Sequence, residues 1–160
     1  ITNNYHFYQL FAQCSKIVDA SRLVIPATTL MKSCYNQMFD GCTSLVSAPE
    51  LPATTLVDYC YYKMFNGCTS LANAPALPAT TLADSCYGKM FNGCSSLNHI
   101  KAMFTTQPGI IYTYGWVNGV SATGTFVKNK NATWEVTGIN GIPNGWISSC
   151  PVTAKPLLGR

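Results

Sequence analysis

Met-Phe-Asp-Gly-Cys-Thr-Ser-Leu at 38–45 returns as Met-Phe-Asn-Gly-Cys-Thr-Ser-Leu at 64–71 and as Met-Phe-Asn-Gly-Cys-Ser-Ser-Leu at 90–97, a spacing of 26 residues each time. A repeat of this length marks an array of supersecondary units, because one unit cannot bury its apolar face without a neighbour. The repeat therefore predicts an elongated stack.

Within one repeat, Thr55 and Asp58, and again Thr81 and Asp84, stand at capping-box spacing and predict a helix start. Leu56, Cys60, Met64 and Phe65 follow, with Leu82, Cys86, Met90 and Phe91 in the next copy, on a four-residue spacing that suits one face of a helix. Asn66-Gly67 and Asn92-Gly93 suit its C-terminus, so a helix of about ten residues is expected. Beyond the glycine, Cys68, Leu71, Ala74 and Leu77 with Pro75 and Pro78 predict a short extended segment. Four such turns are expected over 1–98, the first of them degenerate. There Phe11-Ala12-Gln13-Cys14 stands for Phe-x-Gly-Cys, and Ile25-Pro26-Ala27-Thr28-Thr29-Leu30 for Leu-Pro-Ala-Thr-Thr-Leu. Cys14 precedes Cys42 by 28 residues, which predicts a bulge near Asp19 to Arg22; Lys32 takes the place of the capping aspartate.

Phe-x-x-Cys-x-x-Leu, an extended segment, Leu-Pro, a helix and another Phe-x-x-Cys resemble the BspA-like leucine-rich repeat of bacterial surface proteins. The version Leu-Pro-Ala-Thr-Thr-Leu…Cys-Tyr…Met-Phe-x-Gly-Cys is similar to repeats of Bacteroidales proteins, and Gly124-Thr-Phe-Val-Lys…Trp134…Gly141-Ile-Pro-Asn-Gly-Trp146 resembles their usual ending. The resemblance implies an α/β repeat fold, a leucine-rich-repeat solenoid with a helix and a short strand per turn. It also implies an exported protein, at the bacterial cell surface or secreted, that serves adhesion or recognition. No catalytic residues come with such a scaffold.

After Leu97 the repeat phrase stops. Residues 99–150 read as a C-terminal cap: a strand at Ile100 to Phe104, a turn at Gln107-Pro108-Gly109, a short helix within Tyr112 to Val120, a strand at Gly124 to Lys128, and a last strand around Trp146 to Val152. Trp116, Trp134 and Trp146 all fall here, as an end-plate over an apolar stack requires. Residues 151–160 read as a tail or linker. At the other end, 6–11 enter with little before them to cover the core, which predicts a piece of a longer protein.

Charge is sparse, at 10% of residues, against 48% hydrophobic, which excludes disorder and suits a secreted surface protein. Residues 1–98 are balanced; the net +4 comes from Lys101, Lys128, Lys130, Lys155 and Arg160 against Glu135. Scattered lysines of this kind do not make a nucleic-acid face. No apolar run is long enough to span a membrane.

The eight cysteines lack Cys-x2-Cys spacing, so no metal site is expected. Eight residues of helix would hold the two cysteines of one repeat about 12 Å apart, too far for a bridge. Two readings stand: a ladder of buried free thiols, or disulfides between stacked repeats in an oxidising compartment. Tyr35, Tyr61 and Tyr87 recur after the helical cysteines, with Tyr59 and Tyr62 in the middle turn. They are either rings flanking the core with hydroxyls in water or an aromatic ladder for a partner, and Tyr35, Tyr61, Tyr62 and Tyr87 are the candidate binding surface. His6 and His99 lie at opposite ends, the capping aspartates are assigned, and no Gly-x-Ser-x-Gly elbow or phosphate loop occurs. The expected function is non-catalytic and cofactor-free: adhesion to host protein or glycan, or else a structural spacer or self-assembling subunit without a ligand of its own.

Overall fold

The computed structural model describes residues 3–25 and 29–151. The helix-plus-strand leucine-rich-repeat solenoid is not what the chain forms. Among the described residues, regular structure consists of a strand β1 at His99–Ala102, a single short helix α1 at Ile110–Thr113, and strands β2 at Thr125–Lys128 and β3 at Ile147–Ser149. The strands form one parallel sheet in the order β1-β2-β3, with His99 opposite Thr125 and Thr125 opposite Ile147. No α-helix forms between 56 and 67 or between 82 and 93; residues 58–67 and 84–93 are unbroken successions of turns.

The backbone donors explain why. Between 57 and 67, Cys60, Tyr62, Met64 and Asn66 donate their N–H groups to carbonyls three residues back. Tyr59, Tyr61, Lys63, Phe65 and Gly67 instead donate to Asp84, Cys86, Gly88, Met90 and Asn92 of the following repeat. An α-helix keeps every such bond within itself; here every second amide ties one repeat to the next. The alternation is held by left-handed residues at every fourth position: Tyr59 (φ 57°), Lys63 (φ 53°) and Gly67 (φ 72°), then Ser85, Lys89 and Gly93. A left-handed non-glycine residue costs about 1 kcal/mol, and the inter-repeat bonds offset that cost. The expected caps are corrected with the helices, for Thr55 and Thr81 pair with one another in a parallel bridge.

Contacts between equivalent residues hold the repeats together. Tyr35, Tyr61 and Tyr87 stack in sequence, as do Phe39, Phe65 and Phe91, at centroid separations of 5.6–6.1 Å. A side-chain amide ladder runs alongside, from Asn118 to Asn92 (3.0 Å), Asn92 to Asn66 (2.7 Å) and Asn66 to the Asp40 carboxylate (2.7 Å). At the neighbouring position a Cβ on Gly67 would lie 3.7 Å from the Gly41 Cα, and one on Gly119 would lie 3.6 Å from the Gly93 Cα. Both are ordinary contact distances, so it is the positive φ, 72° at Gly67 and 74° at Gly119, that favours glycine there.

These ladders cross the boundary placed between 98 and 99. Tyr87, Lys89, Phe91 and Gly93 donate to Tyr112, Tyr114, Trp116 and Asn118, the same offset as between the repeats before them, while Ser85 donates one residue farther on, to Ile111. Strands lie at His99–Ala102, Thr125–Lys128 and Ile147–Ser149, beside the expected 100–104, 124–128 and 146–152. The helix expected within Tyr112 to Val120 is a run of turns after the one turn of α1. At the front, the two extra residues show as a change of register. Asp19 pairs with Ser47, and the Asp19 carboxylate accepts the Ser21 N–H (2.8 Å) in a turn at Ser21–Arg22. Pro26, Ala27 and Thr28 of the first repeat, and Lys155, Arg160 and the rest of the tail from 152 onward, lie outside the described residues.

Candidate recognition surface

The candidate tyrosines do not share a surface. Tyr35, Tyr61 and Tyr87 are 1% exposed and form the interior ring ladder, so the aromatic binding face assigned to them is corrected; only Tyr62 of the four reaches the exterior. Their hydroxyls are not in water either: those of Tyr35 and Tyr61 are buried without a hydrogen-bond partner among the described residues. Burial pushes the Tyr35 hydroxyl up to about 12, and drives those of Tyr61 and Tyr87 well above the ordinary phenol range. The error is one of phase. In a helix the residue after an inward cysteine sits at the flank, whereas in the four-residue turn succession Cys60 and Tyr61 both face inward, as do Met64 and Phe65.

The cysteines follow the same rule. Cys34, Cys42, Cys60, Cys68, Cys86 and Cys94 are buried free thiols; Cys14 and Cys150 are exposed free thiols. Cys42, Cys68 and Cys94 each donate an S–H to the carbonyl of Phe11, Phe39 or Phe65 in the preceding repeat, at 3.0–3.2 Å. Burial raises all six, Cys42 to about 11 and Cys86 and Cys94 to about 12, leaving them protonated and poor nucleophiles. His99 meets the Thr125 hydroxyl at 2.7 Å across the sheet. His6 packs edge-on against Phe7 in the first repeat, so the two histidines do not meet. Among the described residues, no three His, Cys, Asp or Glu side chains come together to hold a metal ion, and no helix is long and apolar enough to cross a membrane.

What does face outward is a strip of tyrosines and lysines. Tyr59 and Tyr62 meet edge to face at 5.6 Å. The Lys32 ammonium lies 5.9 Å from the Tyr59 ring centroid, Lys63 lies 5.6 Å from that of Tyr62, and Lys89 lies 5.3 Å from that of Tyr114. Each distance is within cation–π range. Backbone bonds from Lys63 to Gly88 and from Lys89 to Tyr114 fix these groups on adjacent turns. Gly88 makes the strip continuous: a Cβ there would come within 2.8 Å of the Tyr62 ring, so the missing side chain is where the ring lies. Chemically the strip offers partly exposed aromatic edges and faces beside three ammonium donors, which suits a sugar ring with hydroxyl or carboxylate substituents, or a polar peptide. Sequence reasoning missed Lys32, Lys63, Lys89 and Tyr114. Their signal was present in the left-handed positions Lys63 and Lys89, one residue after Tyr62 or Gly88, but it is readable only with the turn geometry known.

A shallow concavity of about 370 Å³ is lined by Pro49, Pro52, Pro75 and Pro78 with Glu50 and Leu51. No family model matches the chain, and neither a curated protein nor a solved structure matches it.

Proposed function

We propose that this chain is a non-catalytic recognition module of an exported bacterial protein, binding a host glycan or extracellular protein along the Tyr59–Tyr62–Tyr114 strip. The single observation that carries the reading is the alignment of three lysine ammonium groups with three tyrosine rings on successive turns. Such a surface gains affinity by stacking and by repetition rather than by enclosure. The raised thiols and the separated histidines support the absence of turnover, since neither provides an activated nucleophile with a neighbouring base. The low charge of the chain and the resemblance of its repeat phrase to bacterial surface proteins support export.

The test is a screen of the intact chain against arrayed glycans and extracellular matrix proteins, with a hydrolase substrate panel in parallel. A hit on the strip weakens about tenfold in Tyr62→Ala and again in Tyr114→Ala, each ring supplying roughly 1–1.5 kcal/mol. Binding indifferent to both substitutions would place the ligand elsewhere, and turnover retained through purification would end the non-catalytic reading.

A further inference from the structure

Glycine follows asparagine at Asn66-Gly67, Asn92-Gly93, Asn118-Gly119, Asn140-Gly141 and Asn144-Gly145. With no side chain on the second residue, its backbone nitrogen can close on the asparagine carboxamide carbon, which makes such pairs chemically labile points of a backbone. Whether one of them reacts depends on how its two groups are held, and these pairs are held differently.

Asp40 stands at the repeat position of Asn66, Asn92 and Asn118, and a carboxylate only accepts. It therefore sets the direction of the amide ladder: Asn66 Nδ2 donates to Asp40 (2.7 Å), Asn92 Nδ2 to Asn66 Oδ1 (2.7 Å) and Asn118 Nδ2 to Asn92 Oδ1 (3.0 Å). The attacking nitrogens are engaged as well, for Gly67 N–H donates to Asn92 O and Gly93 N–H to Asn118 O, both at 2.8 Å. Reaction at Asn66 or Asn92 must break bonds to both partners at once. Asn140 is held by other means: its Oδ1 accepts the Gly115 N–H (2.7 Å), and the buried Gly141 donates to Gly138 O (3.0 Å). At Asn118 half of the restraint remains, since Gly119 N–H has no acceptor among the described residues. At Asn144-Gly145 none remains. Both residues are exposed, and neither the Asn144 side chain nor the Gly145 N–H makes a hydrogen bond among the described residues.

We propose that Asn144 is the site at which this chain spontaneously modifies its own backbone. The Gly145 nitrogen gives its proton to hydroxide and attacks Asn144 Cγ; the new C–N bond closes a cyclic imide as the Cγ–Nδ2 bond breaks, and ammonia leaves with a proton taken from water. Water then opens the imide at either carbonyl, leaving aspartate or its β-linked isomer, with no change of oxidation state. The isomer places one more carbon in the backbone of the turn from Pro143 to Trp146. That turn is closed by the Trp146 N–H on Pro143 O (3.1 Å) and holds Gly145 at φ 83°, where an added Cβ would lie 2.8 Å from Ala122 O. It also seats the Trp146 indole, whose N–H bonds to Ser121 O (2.8 Å), so the longer backbone loosens that ring.

The experiment ages the intact chain in warm, mildly alkaline buffer, folded and in urea, and maps it by mass spectrometry with fragmentation that assigns each asparagine and separates aspartate from its isomer. In the folded chain Asn144 should convert at least about tenfold faster than Asn66, Asn92 and Asn140, with Asn118 between them, and in urea the rates should converge because the local restraints are gone. Asn144→Gln should remove the fast product and leave the ladder pairs as slow as before. Equal rates at Asn144 and Asn92 in the folded chain, or conversion of Asn144 in urea alone, would overturn the proposal. The readout is a covalent change at a named residue, so it stands or falls independently of what the tyrosine–lysine strip binds.

Discussion

The last described turns of the stack and the first are packed differently. Among the last turns three indoles are buried, each with its N–H bonded to a backbone carbonyl: Trp116 to Gly141 (2.9 Å), Trp134 to Phe104 (3.3 Å) and Trp146 to Ser121 (2.8 Å). All three rings are at most 8% exposed. Lys128, buried beside the Trp134 ring, satisfies its ammonium with the Trp134 carbonyl and the Glu135 carboxylate. In the first repeat Phe7 and Phe11 are half-buried, and the carbonyls of His6, Tyr8, Leu10 and Ala12 accept no backbone hydrogen bond among the described residues. The difference follows from the direction of the inter-repeat bonds. A stack whose donors all point toward the C-terminal end must cap those donors, because a buried N–H without a partner is rarely tolerated, while carbonyl oxygens survive in water or with partial pairing. Aromatic and amide capping is therefore concentrated where the donors emerge.

The largest expected effect separates the ends by pH. Cys60, Cys68, Cys86 and Cys94 are held protonated by burial in the inner repeats, whereas Cys14, at the same repeat position as Cys42, is exposed in the first. With folded values raised above the unfolded thiol near 9, the unfolded chain loses its protons first as pH rises. The thiol contribution to stability is intact below pH 9 and falls by about 1.4 kcal/mol per thiol per pH unit above it. For Cys86 and Cys94 the decline ends at about 12. Urea midpoints measured from pH 8 to 11 should drop steeply. A thiol reagent at pH 8 should label Cys14 and Cys150 alone in the native state and all eight cysteines in urea. A flat pH profile, or rapid labelling of Cys68, would break the contrast between inner and outer repeats.

Cavity formation should rank the ends next. Trp116→Ala empties a fully buried site beneath Phe91, Phe104 and Phe126 and should cost about 3–5 kcal/mol. Phe11→Ala removes a ring stacked on one face alone and should cost less than about half of that. Denaturant titrations of the two variants give the comparison directly, and equal losses would mean that the first repeat is as well packed as the last.

Much of this organisation was legible in the residues, and one kind of information was not. The eight-residue phrase located the equivalent positions, so the rings of Phe39, Phe65 and Phe91 and the buried cysteines fall on the expected 26-residue ladders. The three tryptophans are buried, each with its N–H on a backbone carbonyl. The secondary structure did not follow, because inward residues at a spacing of four fit both an α-helix and a succession of four-residue turns. Over eight residues a helix of 3.6 residues per turn drifts by about 80°, while the turn succession does not drift, and a ten-residue window is too short to tell them apart. What decides between them is the destination of Tyr61, Lys63 and Phe65 N–H, a non-local bond that local propensity does not report. The binding face went wrong with it, since moving Tyr61 inward and Lys63 outward is a matter of phase alone.

The smallest effect is the sharpest, because its sign differs between the two geometries. Lys63 and Lys89 hold φ at 53° and 50°, and Gln9 holds 54° in the open first repeat. In a helix interior, replacing lysine with glycine would cost close to 1 kcal/mol through the flexibility of the unfolded chain. In the left-handed region glycine relieves a strain of about the same size. Lys63→Gly should then leave stability unchanged or raise it by up to about 0.5 kcal/mol, whereas Lys63→Ala gains no such relief. Gln9→Gly should behave likewise if the first repeat keeps the same turns, and should be neutral or destabilising if that repeat frays. Paired thermal and urea unfolding of Lys63→Gly, Lys63→Ala and Gln9→Gly resolves the differences. A loss near 1 kcal/mol in Lys63→Gly would return the inner repeats to helices, while a gain there with a loss in Gln9→Gly would confine the turn succession to the covered part of the stack.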